Sequence, residues 1–241
     1  MEDIRENGRI LNDATQHVTP KAVILIVFLS FIGLILLAIV SALLVLHVRT
    51  SGIRNDYASI YQDENYSKVV SVEGVDVITQ DVSCGYAVIE MFAEWSGHDL
   101  TEESLYSEYG KVVTSTGSRF AQEMNKQFPE YVTEIHKYLT NTELIDLVYD
   151  QLSEGIPVPF EWAAKYGEEW TLHYSLIIGL DIPNDMVTVA NPYGYIERIS
   201  IDEFLKRTSF DAYEKMPLFL KLGFAFGIFE KNTIFTVRNR E

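Results

Sequence analysis

From Ala22 to Leu46 the chain carries no charged residue, and nearly every position is Val, Ile, Leu, Phe or Ala. Lys21 closes this run on one side, and His47, Val48 and Arg49 close it on the other. As a helix rising about 1.5 Å per residue, the segment spans a hydrocarbon core roughly 30 Å thick with some tilt to spare. Pro20 suits its first turn, where a missing N–H costs nothing. A buried core helix is a poorer reading, because such helices rarely run past about 20 residues without a polar position. A cleaved secretory signal also fits less well. Val40-Ser41-Ala42 resembles a cleavage site, but the apolar stretch continues beyond it through Leu46 and is too long for an ordinary signal core. Residues 22–48 are therefore read as one uncleaved transmembrane helix.

The flanking charges are silent on direction. Arg5, Arg9 and Lys21 precede the span, and Arg49, Arg54 and Lys68 follow it. A long C-terminal part after a single signal-anchor ordinarily crosses the membrane, so the expectation is a single-pass protein with its domain outside the cytoplasm. Residues 1–21 hold 3 basic and 4 acidic groups, net −1; residues 49–241 hold 16 and 31, net −15. So acidic a chain offers no face to a phosphate backbone, which excludes a nucleic-acid partner. It also stands off anionic headgroups.

An apolar fraction of 47% with 22% charged residues is that of a globular chain and rules out a disordered or collagen-like one. One cysteine excludes an intrachain disulfide and a cysteine-rich metal site. Four further segments follow from patterning. Residues 1–21 form a short N-terminal tail, 49–74 a polar stalk that becomes ordered toward the domain, 75–210 the folded domain, and 211–241 a C-terminal extension expected to pack on the domain as a strand. Within the extension, Met216 to Phe229 is apolar but too short to span, and reads as a final strand or a membrane-facing segment.

Helical spacing of Ala87, Val88, Met91, Phe92 and Trp95 predicts a helix from Cys84, stopped by Gly97. Thr101 caps a short helix through Glu108, Ser118 to Phe128 is a third, and Thr140 with Glu143 forms a capping box for a fourth. After Gly155 the pattern turns to strands. Ile156 to Phe160 reads as edge-like because of its two prolines, Leu172 to Leu180 as a strong strand, and Met186 to Ala190 as its hairpin partner. Ser200 and Glu203 open a last helix through about Arg207. Helices first and strands second is the layout of an α+β domain.

Cys84 is the sole thiol and opens a helix, where unpaired N–H groups and the dipole favour a thiolate. A thiol pKa below the ordinary value of about 8.5 is expected on that ground. Gly85 permits close approach of another chain, and Gln80, four residues upstream, carries an amide able to donate to an oxyanion. Of the five histidines, His17 and His47 flank the span, and His98 and His136 read as solvent-exposed. His173 alone opens an apolar strand. Asn191-Pro192 follows the partner strand, so hairpin pairing brings Asn191 near His173, where its oxygen accepts from the imidazole and fixes the tautomer. Taken singly, a buried cysteine, a core histidine and an Asn-Pro turn are ordinary.

Together, Gln80-x-x-x-Cys84-Gly85, His173-Tyr174 and Ala190-Asn191-Pro192 resemble the C39-like peptidase family of papain-like cysteine peptidases. The resemblance covers residues 75–210 and implies a papain-like fold, with N-terminal helices on an antiparallel sheet. It implies Cys84 as nucleophile, His173 as general base, Asn191 as orienting residue and Gln80 as oxyanion donor, acting on a peptide or protein substrate without a cofactor or metal. Many members carry Asp-Pro where this chain has Asn191-Pro192, and Asn is the papain-type choice. Better-known relatives are fused to ABC transporters and trim leader peptides after a double glycine. These 241 residues contain no Walker motif, so that substrate does not carry over. Two other readings keep the same fold: a non-catalytic peptide-binding module, and an acyltransferase or amidase using the same residues.

Overall fold

The computed structural model describes residues 19–110, 116–210 and 216–240. The chain divides into two compact units at residue 44. Helix α1 (Pro20–Thr50) begins in the first unit, and none of its residues is buried. It is long and apolar enough to cross a membrane, by length and composition.

The second unit, from Val45 onward, is an α+β fold around one antiparallel sheet. Its strands are β1 (Val70–Ser71), β2 (Tyr131–His136), β3 (Val158–Tyr166), β4 (Glu169–Asp181), β5 (Met186–Asn191), β6 (Tyr195–Ile199) and β7 (Thr233–Asn239). They lie in the order β2-β7-β3-β4-β5-β6, with β1 pairing β4. The helices are α2 (Cys84–Ser96), α3 (Glu102–Tyr109), α4 (Gly117–Gln127), α5 (Asn141–Ser153), α6 (Ile201–Ser209) and α7 (Leu218–Ala225).

Alternation along the strands feeds two cores, since successive side chains point to opposite faces. Phe160, Trp162, Ile177, Val187 and Val189 pack with Leu144 and Val148 of α5 and Phe204 of α6. Tyr174, Leu176, Ala190, Phe235 and Val237 pack with Val88 and Phe92 of α2, Leu105 of α3 and Phe120 of α4. Helices therefore cover both clusters rather than one, and the Thr140–Glu143 capping box is present at α5.

Two sequence expectations need correcting, and a third holds. The stretch 49–74, read as a stalk that becomes ordered toward the domain, is anchored from its start: Ile53, Ile60 and Val72 are buried, and β1 pairs Val70 with Leu180. The apolar residues of this polar run follow no sustained period, so its anchoring is invisible locally. The segment holding Pro157 and Pro159 is edge-like where the prolines stand, although β3 as a whole lies between β7 and β4. Its ladder with β7 is confined to Phe160 and Glu161, beyond both prolines, so no ladder donor is missed there. Met216–Phe229 is not a strand but contains α7, while β7 follows it and sits inside the sheet. The C-terminal residues are thus integral to the fold.

Candidate active site

Cys84 is the first residue of α2. Ser83 caps the helix, its hydroxyl accepting the Tyr86 N–H at 3.2 Å, and Gly97 ends it in the left-handed region at φ 81°. Tyr86, Ala87, Val88 and Ile89 are fully buried, so the helix is pinned and its N-terminus is fixed in place.

The loop before it is held by a residue that the sequence reading passed over. Glu102, itself buried, accepts the backbone N–H of Asp81 at 2.7 Å on one oxygen and those of Val82 and Ser83, at 2.9 and 2.5 Å, on the other. Glu102 in turn is placed by its own N–H, which donates to Glu90 at 2.6 Å. An acidic residue in a first turn ordinarily reads as a dipole partner, and nothing local marks it as a clamp on residues some twenty positions upstream.

Gln80 is tied to the Asn191-Pro192 turn: its N–H donates to the Pro192 carbonyl at 2.8 Å, and Thr79 bridges Tyr193. Gly194 permits this approach, since it lies at φ 90° and a Cβ there would stand 2.4 Å from the Thr79 hydroxyl. Among the described residues the Gln80 side-chain oxygen has no hydrogen-bond partner.

Cys84, Gln80 and His173 line one cavity of about 440 Å³, together with Tyr193, Leu172 and Phe219. Cys84 is half-buried. Burial pushes its thiol up to about 11, against the backbone N–H groups of Tyr174, Gly85 and Cys84 itself, which favour the thiolate. The expected depression of the thiol is thus reversed: the helix terminus acts in the anticipated direction, and desolvation outweighs it.

His173 does not open its strand but stands within β4, which begins at Glu169, and it is almost completely buried. Its Nε2 lies 3.0 Å from Asn191 Oδ1, and its ring stacks on Tyr193 with centroids 4.2 Å apart. The Asn191 amide has only one sensible orientation. Oδ1 accepts the Tyr193 backbone N–H at 3.0 Å, and Nδ2 donates to the Glu197 carboxylate at 2.9 Å. Nε2 must therefore be the protonated nitrogen, which leaves the Nδ1 lone pair as the basic one. Burial holds the imidazole down to about 4, with the Asn191 hydrogen bond opposing and Arg207 assisting, so the ring is neutral near pH 7. Glu197 also pairs with Arg207, whose guanidinium stacks 3.5 Å over Trp162 and donates to the Ala163 carbonyl at 2.7 Å.

The structure thus brings Asn191 onto His173 and places Cys84, Gln80 and His173 around one cavity. Tyr193, Glu197, Arg207 and Glu102 are additions that no sequence spacing marked. His98 and His136 are elsewhere and only half-exposed: His98 contacts Ser96 and Glu130, and His136 lies in β2 against Thr236. His17 lies outside the described residues.

Residues 56–217 match the family model described as Peptidase C39 like family, about two thirds of the chain. No curated protein matches it. Among solved structures, a double glycine motif protease from an AMS/PCAT transporter, crystallised in complex with the leader peptide, is similar at 12% identity and a TM-score of 0.45. That alignment covers 72% of this chain and 100% of the other.

Proposed function

The chain belongs to the Peptidase C39 like family, and on that premise we propose that it is a membrane-anchored cysteine peptidase in which Cys84, His173, Asn191 and Gln80 cleave a peptide or isopeptide bond. The family supports a peptidase-type function. The observation that carries the finer reading is the shared cavity of Cys84, Gln80 and His173, with the imidazole tautomer set from behind by Asn191.

In this reading the resting pair is a neutral thiol and a neutral imidazole. As the Cys84 sulfur attacks the scissile carbonyl carbon, His173 Nδ1 takes the thiol proton, and the carbonyl π pair moves onto oxygen. The Gln80 amide and the Cys84 backbone N–H donate to that oxyanion. The intermediate collapses by breaking the C–N bond, and His173 returns the proton to the leaving amine. Water, deprotonated by His173, then hydrolyses the thioester to a carboxylic acid and restores the thiol.

One observation favours the rival reading of a non-cleaving peptide-binding module: the thiol is pushed up to about 11 rather than activated at rest. Labelling with a thiol-reactive acyl probe separates the two. Wild type should label and turn over a peptide substrate, Cys84→Ala should do neither, and His173→Ala should label slowly and not turn over. Turnover unaffected by His173→Ala would leave this mechanism without its base.

The apolar length of α1 supports a single anchor; the C-terminal unit is placed outside the cytoplasm because a long C-terminal part after a single signal-anchor ordinarily crosses the membrane. Protease added to intact cells should then remove that unit and leave a protected fragment near the anchor's size. Digestion only after lysis would reverse the orientation.

A further inference from the structure

Helix α7 is held in the fold by one face and leaves the other open. Leu220 and Phe224 are buried with Ala163, Phe210 and Met216. Leu218 and Phe219 remain 70% and 65% exposed, Leu222 45%, and Phe226 and Ile228 in the following turn 53% and 56%. Past Val48, large exposed apolar residues elsewhere occur singly or in one adjacent pair among the described residues. A cluster of five is a surface that water alone does not explain.

The patch is built rather than incidental. The Ile228 N–H donates to the Gly223 carbonyl at 2.8 Å. A Cβ on Gly223 would stand 2.3 Å from the Phe229 ring, so that ring is folded onto the helix backbone. The turn therefore holds Phe226 and Ile228 beside the helix instead of letting them fold inward.

Its position within the second unit bears on what covers it. Leu46, the last residue of the uncharged run, packs against the same cluster that holds α7. Arg49 reaches the turn, where a Cβ on Gly227 would lie 3.3 Å from its guanidinium. The point at which the chain leaves the apolar run is thus fixed against this patch, whatever direction the run takes. Residues 216–229 carry a single charge, the cation Lys221, in a region of net −15. That composition suits an interfacial layer, where apolar side chains enter the acyl boundary and a lysine stem reaches outward.

Pro217 and Phe219 also line the cavity of Cys84 and His173. We propose that the open face of α7 and the 226–228 turn dock into the interfacial layer of the membrane that holds α1. The cavity mouth then lies at the lipid surface, and the substrates it takes are peptide segments close to a bilayer, such as the juxtamembrane stretch of a membrane-tethered polypeptide. This inference rests on the anchor and peptidase readings above. The docking is apolar, so it needs no anionic lipid and resists salt.

The test uses the full chain in phosphatidylcholine vesicles, carrying Cys84→Ala and one environment-sensitive fluorophore at Leu222→Cys, Phe226→Cys or, as control, Val69→Cys. Lipids bearing an acyl-chain quencher should quench positions 222 and 226 and spare 69, and aqueous iodide should do the reverse. Iodide quenching at 222 and 226 equal to that at 69 overturns the proposal, as does shielding from both quenchers, which would put a second copy or another protein on the patch. Alkaline carbonate that strips the wild-type chain from vesicles overturns the anchor and the docking together; a chain that stays bound but is not lipid-quenched overturns the docking alone. With otherwise wild-type protein, Leu222→Ser with Phe226→Ser should leave cleavage of a soluble peptide unchanged and cut that of a vesicle-tethered one about tenfold, through lost effective concentration. Equal effects on both substrates overturn the substrate assignment. No soluble-peptide cleavage by wild type would fail the peptidase reading, and the quenching would still decide the docking.

Discussion

Asn191 Oδ1 accepts the His173 Nε2–H hydrogen bond at 3.0 Å while its Nδ2 donates to Glu197 at 2.9 Å, so one amide faces a donor on one side and a carboxylate on the other. An aspartate satisfies only the first. Its second oxygen would meet Glu197 as a like charge, which gives a local reason for asparagine where related chains carry aspartate.

Asn191→Asp should therefore be damaging, and adding Glu197→Gln should restore much of the loss, because the glutamine can donate to the new carboxylate. Asn191→Ala should lower kcat less than His173→Ala does, because it loosens the imidazole's orientation without removing the base. His173→Ala should cost about 10³-fold or more. A double-mutant cycle on positions 191 and 197 measures the coupling. Additive effects would show that Glu197 is not Asn191's functional neighbour.

The two perturbed groups set the pH dependence. Only neutral imidazole accepts a proton, and burial holds His173 down to about 4. The acid limb of kcat/KM should fall near pH 4 rather than near the ordinary histidine value of about 6.5. Thiolate forms as pH rises, and burial lifts Cys84 to about 11. Alkylation of Cys84 should thus keep accelerating beyond pH 9 with no plateau near 8.5. A plateau below that value would mean a preformed thiolate and a different resting state.

Much of the candidate site was legible because the residues it gathers stand at recognisable junctions: a helix start for Cys84, an apolar strand for His173, a hairpin end for Asn191. The α+β class followed from capping boxes and strand runs, several of which stand within a residue or two of the observed elements. What escaped were interactions closed over long separations. Strand β2 pairs with β7 about a hundred residues later, and alone Tyr131–His136 mixes apolar and polar residues with no clear alternation. Glu102 and Glu197 act on backbone and amide groups that only the fold brings to them. The thiol shift depends on the depth of a cavity, which spacing does not encode.

Glu102 carries three backbone N–H groups of residues 81–83, the segment joining Gln80 to Cys84. Glu102→Gln keeps one oxygen for Val82 and Ser83 but turns an NH₂ toward the Asp81 N–H. Hydrogen bonds to a charged group are worth about 1.5–3 kcal/mol each. Glu102→Ala should lose several kcal/mol of stability or fail to fold, whereas Glu102→Gln should fold with a lower Tm. In the glutamine variant, kcat should drop more than KM rises, since the displaced loop holds the oxyanion donor rather than the remote substrate contacts. Steady-state kinetics beside thermal unfolding checks this; unchanged kcat with a lowered Tm would make the clamp purely structural.

Glu161 is a buried carboxyl that the mechanism does not use. It is 1% exposed, its Oε1 has no hydrogen-bond partner among the described residues, and a Cβ on Gly117 at the start of α4 would lie 3.0 Å from that oxygen. Burial pushes it up to about 7, with the neighbouring Tyr174 hydroxyl and Lys137 pulling down and Glu230 pushing up. Unfolded, the group titrates near 4.5, so between 4.5 and 7 the folded chain binds the extra proton. Its contribution to stability is full below 4.5 and is lost as pH rises through 7, a difference on the order of 3 kcal/mol. His173 has the opposite sign. Its folded value near 4 lies below the unfolded one of 6.5, so stability is lost as pH falls through that window. The two oppose each other between 4.5 and 6.5 and flatten the wild-type profile there. Glu161→Gln keeps the shape and removes the charge, so it should match wild type near pH 4 and exceed it at pH 8 by on the order of 3 kcal/mol in denaturant unfolding. A variant less stable than wild type at pH 8 would show that the carboxylate is held charged by a favourable partner, and that its burial is not the cost assigned to it.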